Sequence, residues 1–226
     1  MANDLFDEYA HDYKASLEQG LALSGESQEY FALKRVALVR DVLAGKKVAK
    51  VLDYGCGTGG TLPLLSKALG ASEGVGVEVS ATSIDLARQT HPEFRFHLIE
   101  EFDEAGTFDV AYCNGVFHHI PPAQRAECIA FVHRQLKPGG YFAFWENNPW
   151  NPGTQLIMHK VPFDREAVKI SIHEAKRLLG AAGFVVEEVV TSFFFPRSLR
   201  RLRGLERWIL KMPIGGQYLV LARRSA

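Results

Sequence analysis

The stretch Val51-Leu52-Asp53-Tyr54-Gly55-Cys56-Gly57-Thr58-Gly59-Gly60 constrains this chain more than any other. Apolar residues lead into Asp53, glycines follow at nearly every second position, and Thr61-Leu62-Pro63-Leu64-Leu65 leaves in a helical register. The pattern predicts strand, tight turn and helix. Glycine permits positive φ and puts no Cβ between backbone and ligand, so the turn can lie against a nucleotide-sized molecule. The spacing alone leaves two cofactor classes open. Gly55, Gly57 and Gly60 form a G-x-G-x-x-G that fits a dinucleotide fold, while Gly55, Gly57 and Gly59 form G-x-G-x-G. A Walker-type phosphate loop is excluded, because no Gly-Lys-Ser or Gly-Lys-Thr follows.

Strand and helix patterns alternate through the centre of the chain. Ala49 to Tyr54 reads as the first strand and Leu62 to Leu69 as a helix that Gly70 closes. Gly74 to Val79 is a second strand ending in an acid, with Ser80 and Ser83 as caps for the next helix. Phe94 to Ile99, Phe108 to Cys113 and Tyr141 to Glu146 read as further strands, with a helix from Ala123 to Leu136 before the last of them. Phe184 to Val190 and Gln217 to Arg223 supply two more, and His173 to Gly180 another helix. The fold class is therefore α/β, a Rossmann-like, mostly parallel sheet with helices on both faces and a crevice at the carboxyl ends of its strands.

At 226 residues the expectation is one domain. It comprises an N-terminal helical cap at 1–47, a cofactor-binding core at 48–146, an insertion or lid at 147–172, and C-terminal strands with a basic helix at 173–226. Lys and Arg total 26, as do Asp and Glu, so no global basic field favours nucleic acid. The three cysteines show no C-x-x-C spacing, which suggests reduced thiols and a cytoplasmic location. No stretch reaches the ~18 apolar residues of a membrane span.

Four motifs in order resemble the class I S-adenosylmethionine-dependent methyltransferases, especially the small-molecule type. They are VLDYGCGTGG at 51–60, GVEVS at 76–80, FDVAYCNGVFHHIP at 108–121 and LKPGGYFAF at 136–144. The last two favour this family over a dinucleotide-dependent oxidoreductase. A noncatalytic binder that keeps only the cofactor pocket is the other alternative. The resemblance implies a seven-stranded sheet with its last strand antiparallel, and S-adenosylmethionine as cofactor. It also implies roles. Glu78, followed by Val79, is similar to the acid that accepts the ribose hydroxyls. Asp53 looks like the acid facing the methionine ammonium, and Gly55, Cys56 and Gly57 like the close backbone surface. Glu100, Glu101 and Phe102 match the loop that meets adenine, in place of the usual Asp-Ala pair. Asn114, Gly115 and Val116 match the segment beneath the sulfonium. No metal is implied.

Methyl transfer from a sulfonium mainly needs nucleophile, methyl and sulfur aligned in a dry site. An oxygen nucleophile also needs its proton removed. His119, with His118 as the alternative, stands where a base of near-neutral pKa would serve, although histidine here also fits a packing role. Glu146, Asn147, Asn148 and Trp150 follow the fifth strand and suit a polar acceptor, against the plainer reading of a turn held by its own backbone bonds. Tyr9 and Tyr13 of the cap are candidates for the same acceptor or for packing. His159, Phe163 and Asp164 of the insertion are weaker ones. Residues 197–212 interleave Leu199, Leu202, Leu205, Trp208 and Met212 with arginines. Such a basic amphipathic helix can contact an anionic membrane weakly; the commoner arrangement, expected here, packs its apolar stripe on the protein's own sheet.

Overall fold

The computed structural model describes residues 24–161, 164 and 167–225. Seven strands make one sheet: β1 (Lys50–Tyr54), β2 (Glu73–Glu78), β3 (Arg95–Leu98), β4 (Phe108–Asn114), β5 (Leu136–Asn147), β6 (Phe184–Ser192) and β7 (Gln217–Arg224). Their order is β3-β2-β1-β4-β5-β7-β6. The pairs from β3 to β5 are parallel, and β7 runs antiparallel to both β5 and β6. The topology reverses beside β1, so the crevice over β1 and β4 is where a ligand is expected in an open α/β sheet.

The central strands are apolar along their whole length because both faces are covered. In β1, Val51 packs on one face and Leu52 and Tyr54 on the other, within separate hydrophobic clusters. Helices α1 (Gln28–Val42), α2 (Leu62–Leu69), α3 (Ala81–Thr90), α4 (Arg125–Gln135), α5 (Pro152–Lys160) and α6 (Ile172–Ala181) surround the sheet. Their starts are written locally. Ser27, Ser80, Asn151 and Ser171 each accept a hydrogen bond from the backbone N–H three residues on, satisfying a donor that the first helical turn leaves free.

Two expectations need correction. The helix expected to reach Leu136 ends at Gln135, and β5, expected from Tyr141, begins at Leu136 through an irregular Lys137-Pro138-Gly139-Gly140 stretch with a register shift opposite Phe108 and Val110. The 197–212 stretch is not one α-helix packed by its apolar stripe. A 3-10 segment, Arg197–Leu205, runs into a single helical turn, α7 (Glu206–Ile209). Leu199, Leu202 and Leu205 are exposed, Leu210 is half-buried against the core, and Glu206 is the buried residue of the stretch. Tyr9, Tyr13 and Phe163 lie outside the described residues. Among the described residues no helix is long and apolar enough to cross a membrane.

Candidate active site

A cavity of about 1140 Å³ opens at the carboxyl ends of β1, β2 and β4. Asp53, Gly55, Cys56, Gly57, Glu78, Val79, Asn114, Gly115 and Val116 all line it, as do α1, α5 and the Phe193-Phe194-Phe195 run after β6. The glycine turn is shaped by contacts on both sides. Gly55 and Cys56 donate their N–H groups to Val77 O, at 2.8 and 3.1 Å, which pins the turn to β2. Gly55 has φ +71°, and a Cβ there would stand 2.3 Å from Val116 Cγ2. Gly57 has φ +53° and open space where its Cβ would be, so it presents bare backbone to the cavity.

Glu78 reaches back across this turn. Its Oε2 accepts from Gly57 N at 3.0 Å and its Oε1 from Val79 N at 2.7 Å. Its Oε1 also accepts from Ser80 N at 3.4 Å, so three backbone amides fix this carboxylate at the turn. Asp53 is almost fully buried. Burial, reinforced by Glu78 and opposed by Arg35, pushes its carboxyl up to about 7. Among the described residues Asp53 Oδ2, Asn114 Oδ1 and Arg35 Nε have no hydrogen-bond partner, although all three side chains border the cavity. Such buried orphan groups are costly unless something else completes them. Arg35 was missed from the sequence. Its signal was a guanidinium one residue before Val36, which α1 buries in the core.

The adenine-loop expectation is shifted. Ile99 lines the cavity, whereas Glu100 and Glu101 are exposed in a 3-10 turn, and Phe102 is buried against His97 and Phe108. Phe102 is drawn inward by the apolar core, which takes it out of the cavity wall.

The acceptor side is built around the turn after β4. Glu146 does not face the cavity. It is fully buried beneath this turn, where Oε1 accepts from Phe117 N at 2.8 Å and Oε2 meets His118 Nδ1 at 2.7 Å. Arg125, also buried, donates Nε to Phe117 O and Ile120 O, both at 3.1 Å, and Nη1 to Glu174 at 2.9 Å. The backbone carrying His118 and His119 is thus clamped from its amide side by an acid and from its carbonyl side by a guanidinium. Asp164 then arrives from the insertion. Its Oδ1 lies 3.3 Å from His118 Nε2 and 3.2 Å from His119 Nε2.

Charge in this cluster follows from its partners. Burial disfavours the charged His118 ring, yet Glu146 and Asp164 together push it up to about 10. Burial also opposes the charged form of Asp164, but the hydrogen bonds to both histidines hold its carboxyl down at about 2. His119 goes the other way. Burial outweighs the Asp164 hydrogen bond, and the charge on His118 adds to it, so His119 falls below its ordinary value. The neutral His119 ring must donate Nε2–H to the ionised Asp164, which leaves the lone pair on Nδ1. The ligand-type atoms of His118, His119 and Asp164 lie within 4.8 Å of one another, close enough to share a small divalent cation.

The remaining acceptor candidates divide. Asn147 lines the cavity and accepts from Gln217 Nε2 at 2.9 Å. Asn148 is buried and spends its amide on Pro213 O and Gly215 O, so the plainer turn reading applies to it. Trp150 is 60% exposed and lies outside the cavity wall, and His159 is exposed. Phe193, held at φ +64°, packs tilted against Phe31 with ring centres 4.7 Å apart and forms part of the wall.

Residues 26–202 match the family described as Methyltransferase domain. The chain belongs to this family. A trans-aconitate 2-methyltransferase from Azoarcus sp. strain BH72 is 28% identical over 144 residues, covering 61% of this chain and 56% of the relative. An uncharacterized methyltransferase from Synechocystis sp. strain PCC 6803 is 38% identical over 145 residues, covering 61% and 67%. The matched stretch therefore spans little more than half to two thirds of these relatives. The fold is that of an S-adenosylmethionine-dependent methyltransferase from Thermotoga maritima, with TM-score 0.66, 19% identity and complete coverage of both chains. The class I methyltransferase fold is thus established, and S-adenosylmethionine is the cofactor of this family.

Proposed function

We propose that this methyltransferase transfers a methyl group from S-adenosylmethionine to an oxygen or nitrogen of a small-molecule acceptor, with His119 taking the acceptor's proton. The observation that carries this reading is the chain Glu146, His118, Asp164, His119 ending at the cavity wall. Three of its members exist to fix the fourth. Glu146 and Asp164 hold His118 charged, and Asp164 fixes the tautomer of His119 while burial, with the His118 charge beside it, keeps that ring neutral. A neutral imidazole poised below 6.5 is available as a base at physiological pH.

The cofactor side supports the same reading. An α-amino acid tail needs an acceptor for its ammonium and a donor for its carboxylate, and the unpartnered Asp53 Oδ2 and Arg35 Nε supply one of each. Glu78 lines the cavity at the second strand end, where ribose hydroxyls would be met, and Ile99 gives an apolar wall for a base. When bound, the cofactor supplies an already activated methyl. The chain's own contribution is to hold the acceptor, exclude water through the phenylalanine run and the insertion, and take up one proton at His119. The acceptor is read as small because Asn147 and the Asp164 segment bound the cavity beside His119, and because the chain has no net charge for steering to nucleic acid.

Calorimetry with S-adenosylmethionine, S-adenosylhomocysteine and NAD, followed by methyl transfer to a metabolite panel, tests the reading. Once an acceptor is found, His119→Ala should lower turnover at saturating acceptor by about 100- to 10,000-fold with S-adenosylhomocysteine affinity unchanged. The acid limb of wild-type kcat/KM should fall below about pH 6.5, because the base form of His119 is lost only as pH drops through its lowered pKa. Wild-type turnover in a folded His119→Ala protein would refute the base. Loss of transfer on chelation, restored by a divalent cation, would replace the base reading with a metal one.

A further inference from the structure

The segment 197–212 is amphipathic in the opposite sense from a packed helix. A 3-10 helix has three residues per turn, so residues three apart stand in one row. Leu202 and Leu205 stand in such a row, Leu199 precedes them across a kink and Trp208 follows in α7; the exposures of Leu199, Leu202, Leu205 and Trp208 are 47, 41, 53 and 74%. Met212 and Ile214 carry the apolar surface onward, at 46 and 53%. The side that faces the protein is held by ion pairs, with Ile209 and Leu210 half-buried beyond them. Arg203 pairs with Glu26 at 2.9 Å, donates to Phe195 O and covers the Tyr30 ring, while buried Glu206 pairs with Lys34. These inward ion pairs hold the segment in place while Leu199, Leu202 and Leu205 point outward.

The charges flanking the outward row all have one sign. Arg197, Arg200, Arg201, Arg207 and Lys211 are exposed, and the single acid of the segment, Glu206, is turned inward and already paired. Exposed leucines and a tryptophan set among unpaired-sign basic groups match a surface that is both anionic and apolar just beneath. A lipid bilayer with acidic headgroups has that profile. A second copy of the chain would bring the same basic groups against themselves. The position matters too, since Pro196 and Arg203 line the cavity and Leu156 is an exposed residue of its wall.

We propose that this face docks on an anionic membrane, seating the leucine and tryptophan row in the headgroup boundary and placing the cavity mouth at the bilayer surface. The inference goes beyond the methyl-transfer reading and does not depend on it.

Co-sedimentation of the full chain with vesicles tests the proposal, with S-adenosylhomocysteine calorimetry on each protein as a separate check of the cofactor site. At low salt the protein should pellet with equimolar phosphatidylcholine and phosphatidylglycerol, and remain in the supernatant with phosphatidylcholine alone. Raised salt should release it. The double variant Arg200→Gln, Arg201→Gln should lower the partition coefficient about 30-fold, and Trp208→Ser should lower it as well, both with unchanged S-adenosylhomocysteine affinity. Equal recovery in the supernatant with and without anionic vesicles at low salt would overturn the proposal. So would full binding by the double variant, or concentration-dependent self-association through this row without vesicle binding, which would assign the face to a second copy.

Discussion

Replacing Asp53 by asparagine sets stability against cofactor binding, and pH separates the two. Asp53 is raised from 3.8 to about 7 in the folded protein. Between those values the native state holds a proton that the unfolded chain has released, so the wild type loses stability as pH rises through this window and no further above it. The shift is about three units, and at 1.36 kcal/mol per unit the full loss is about 4 kcal/mol. Going from about pH 5 to about pH 8 traverses two of those units, or about 3 kcal/mol. Asparagine does not titrate. If its amide finds no partner it costs about 1–3 kcal/mol, but that cost is the same at both pH values. Urea unfolding of both proteins without cofactor, at the two pH values, therefore isolates the charge. The Asp53→Asn protein should gain about 3 kcal/mol on the wild type between them. Its affinity for S-adenosylmethionine should fall roughly tenfold to a hundredfold, the worth of one hydrogen bond to a charged group. A stability difference that stays constant with pH would refute the buried-carboxylate argument, whatever the binding data show.

Two further outcomes follow from the same geometry. Glu146→Gln removes the charge that His118 faces in a fully buried setting, and breaking such a pair costs about 3–5 kcal/mol. A thermal melt should drop by roughly 10 °C, with S-adenosylhomocysteine affinity nearly unchanged because Glu146 lies outside the cavity wall. Gly55→Ala forces a side chain into left-handed backbone and against Val116; calorimetry should show weakened S-adenosylhomocysteine binding, and unfolding a loss of about 1–2 kcal/mol from the backbone strain alone.

The sheet was legible because its signals are local. Apolar runs ending in an acid, glycines that break them and serines that start helices are each written within a few residues, and the strand ends follow. The position of the strand-end residues Asp53, Glu78 and Asn114 was legible for the same reason, and all three border the cavity. The adenine loop and the acceptor side were harder. Phe102 turns inward because the core offers it more contact than the cavity does, which a local pattern of acids cannot reveal. Glu146 sits at a strand end like Asp53 and Glu78, yet the turn after β4 supplies amides and an imidazole that draw it inward. Asp164 reaches the histidines across 45 residues of chain, and Arg35 reaches the cavity from a helix outside the sheet, so neither contact has a sequence spacing to read. The 197–212 stretch misled for a different reason: apolar spacing of three and four identifies a stripe but not which side the protein occupies. Ion pairs on the polar side decided it.

Asp164 belongs to the insertion, while both histidines belong to the core turn after β4. One group that bears on the proton affinity of His119, opposing the effect of burial, is thus carried by the insertion and not by the core. On the proposed function, an exchange of that insertion would alter the cavity wall and the partner of His119 in one event, leaving the turn at Gly55 and Glu78 as it was. The acceptor side and the base of the proposed function would thus change together.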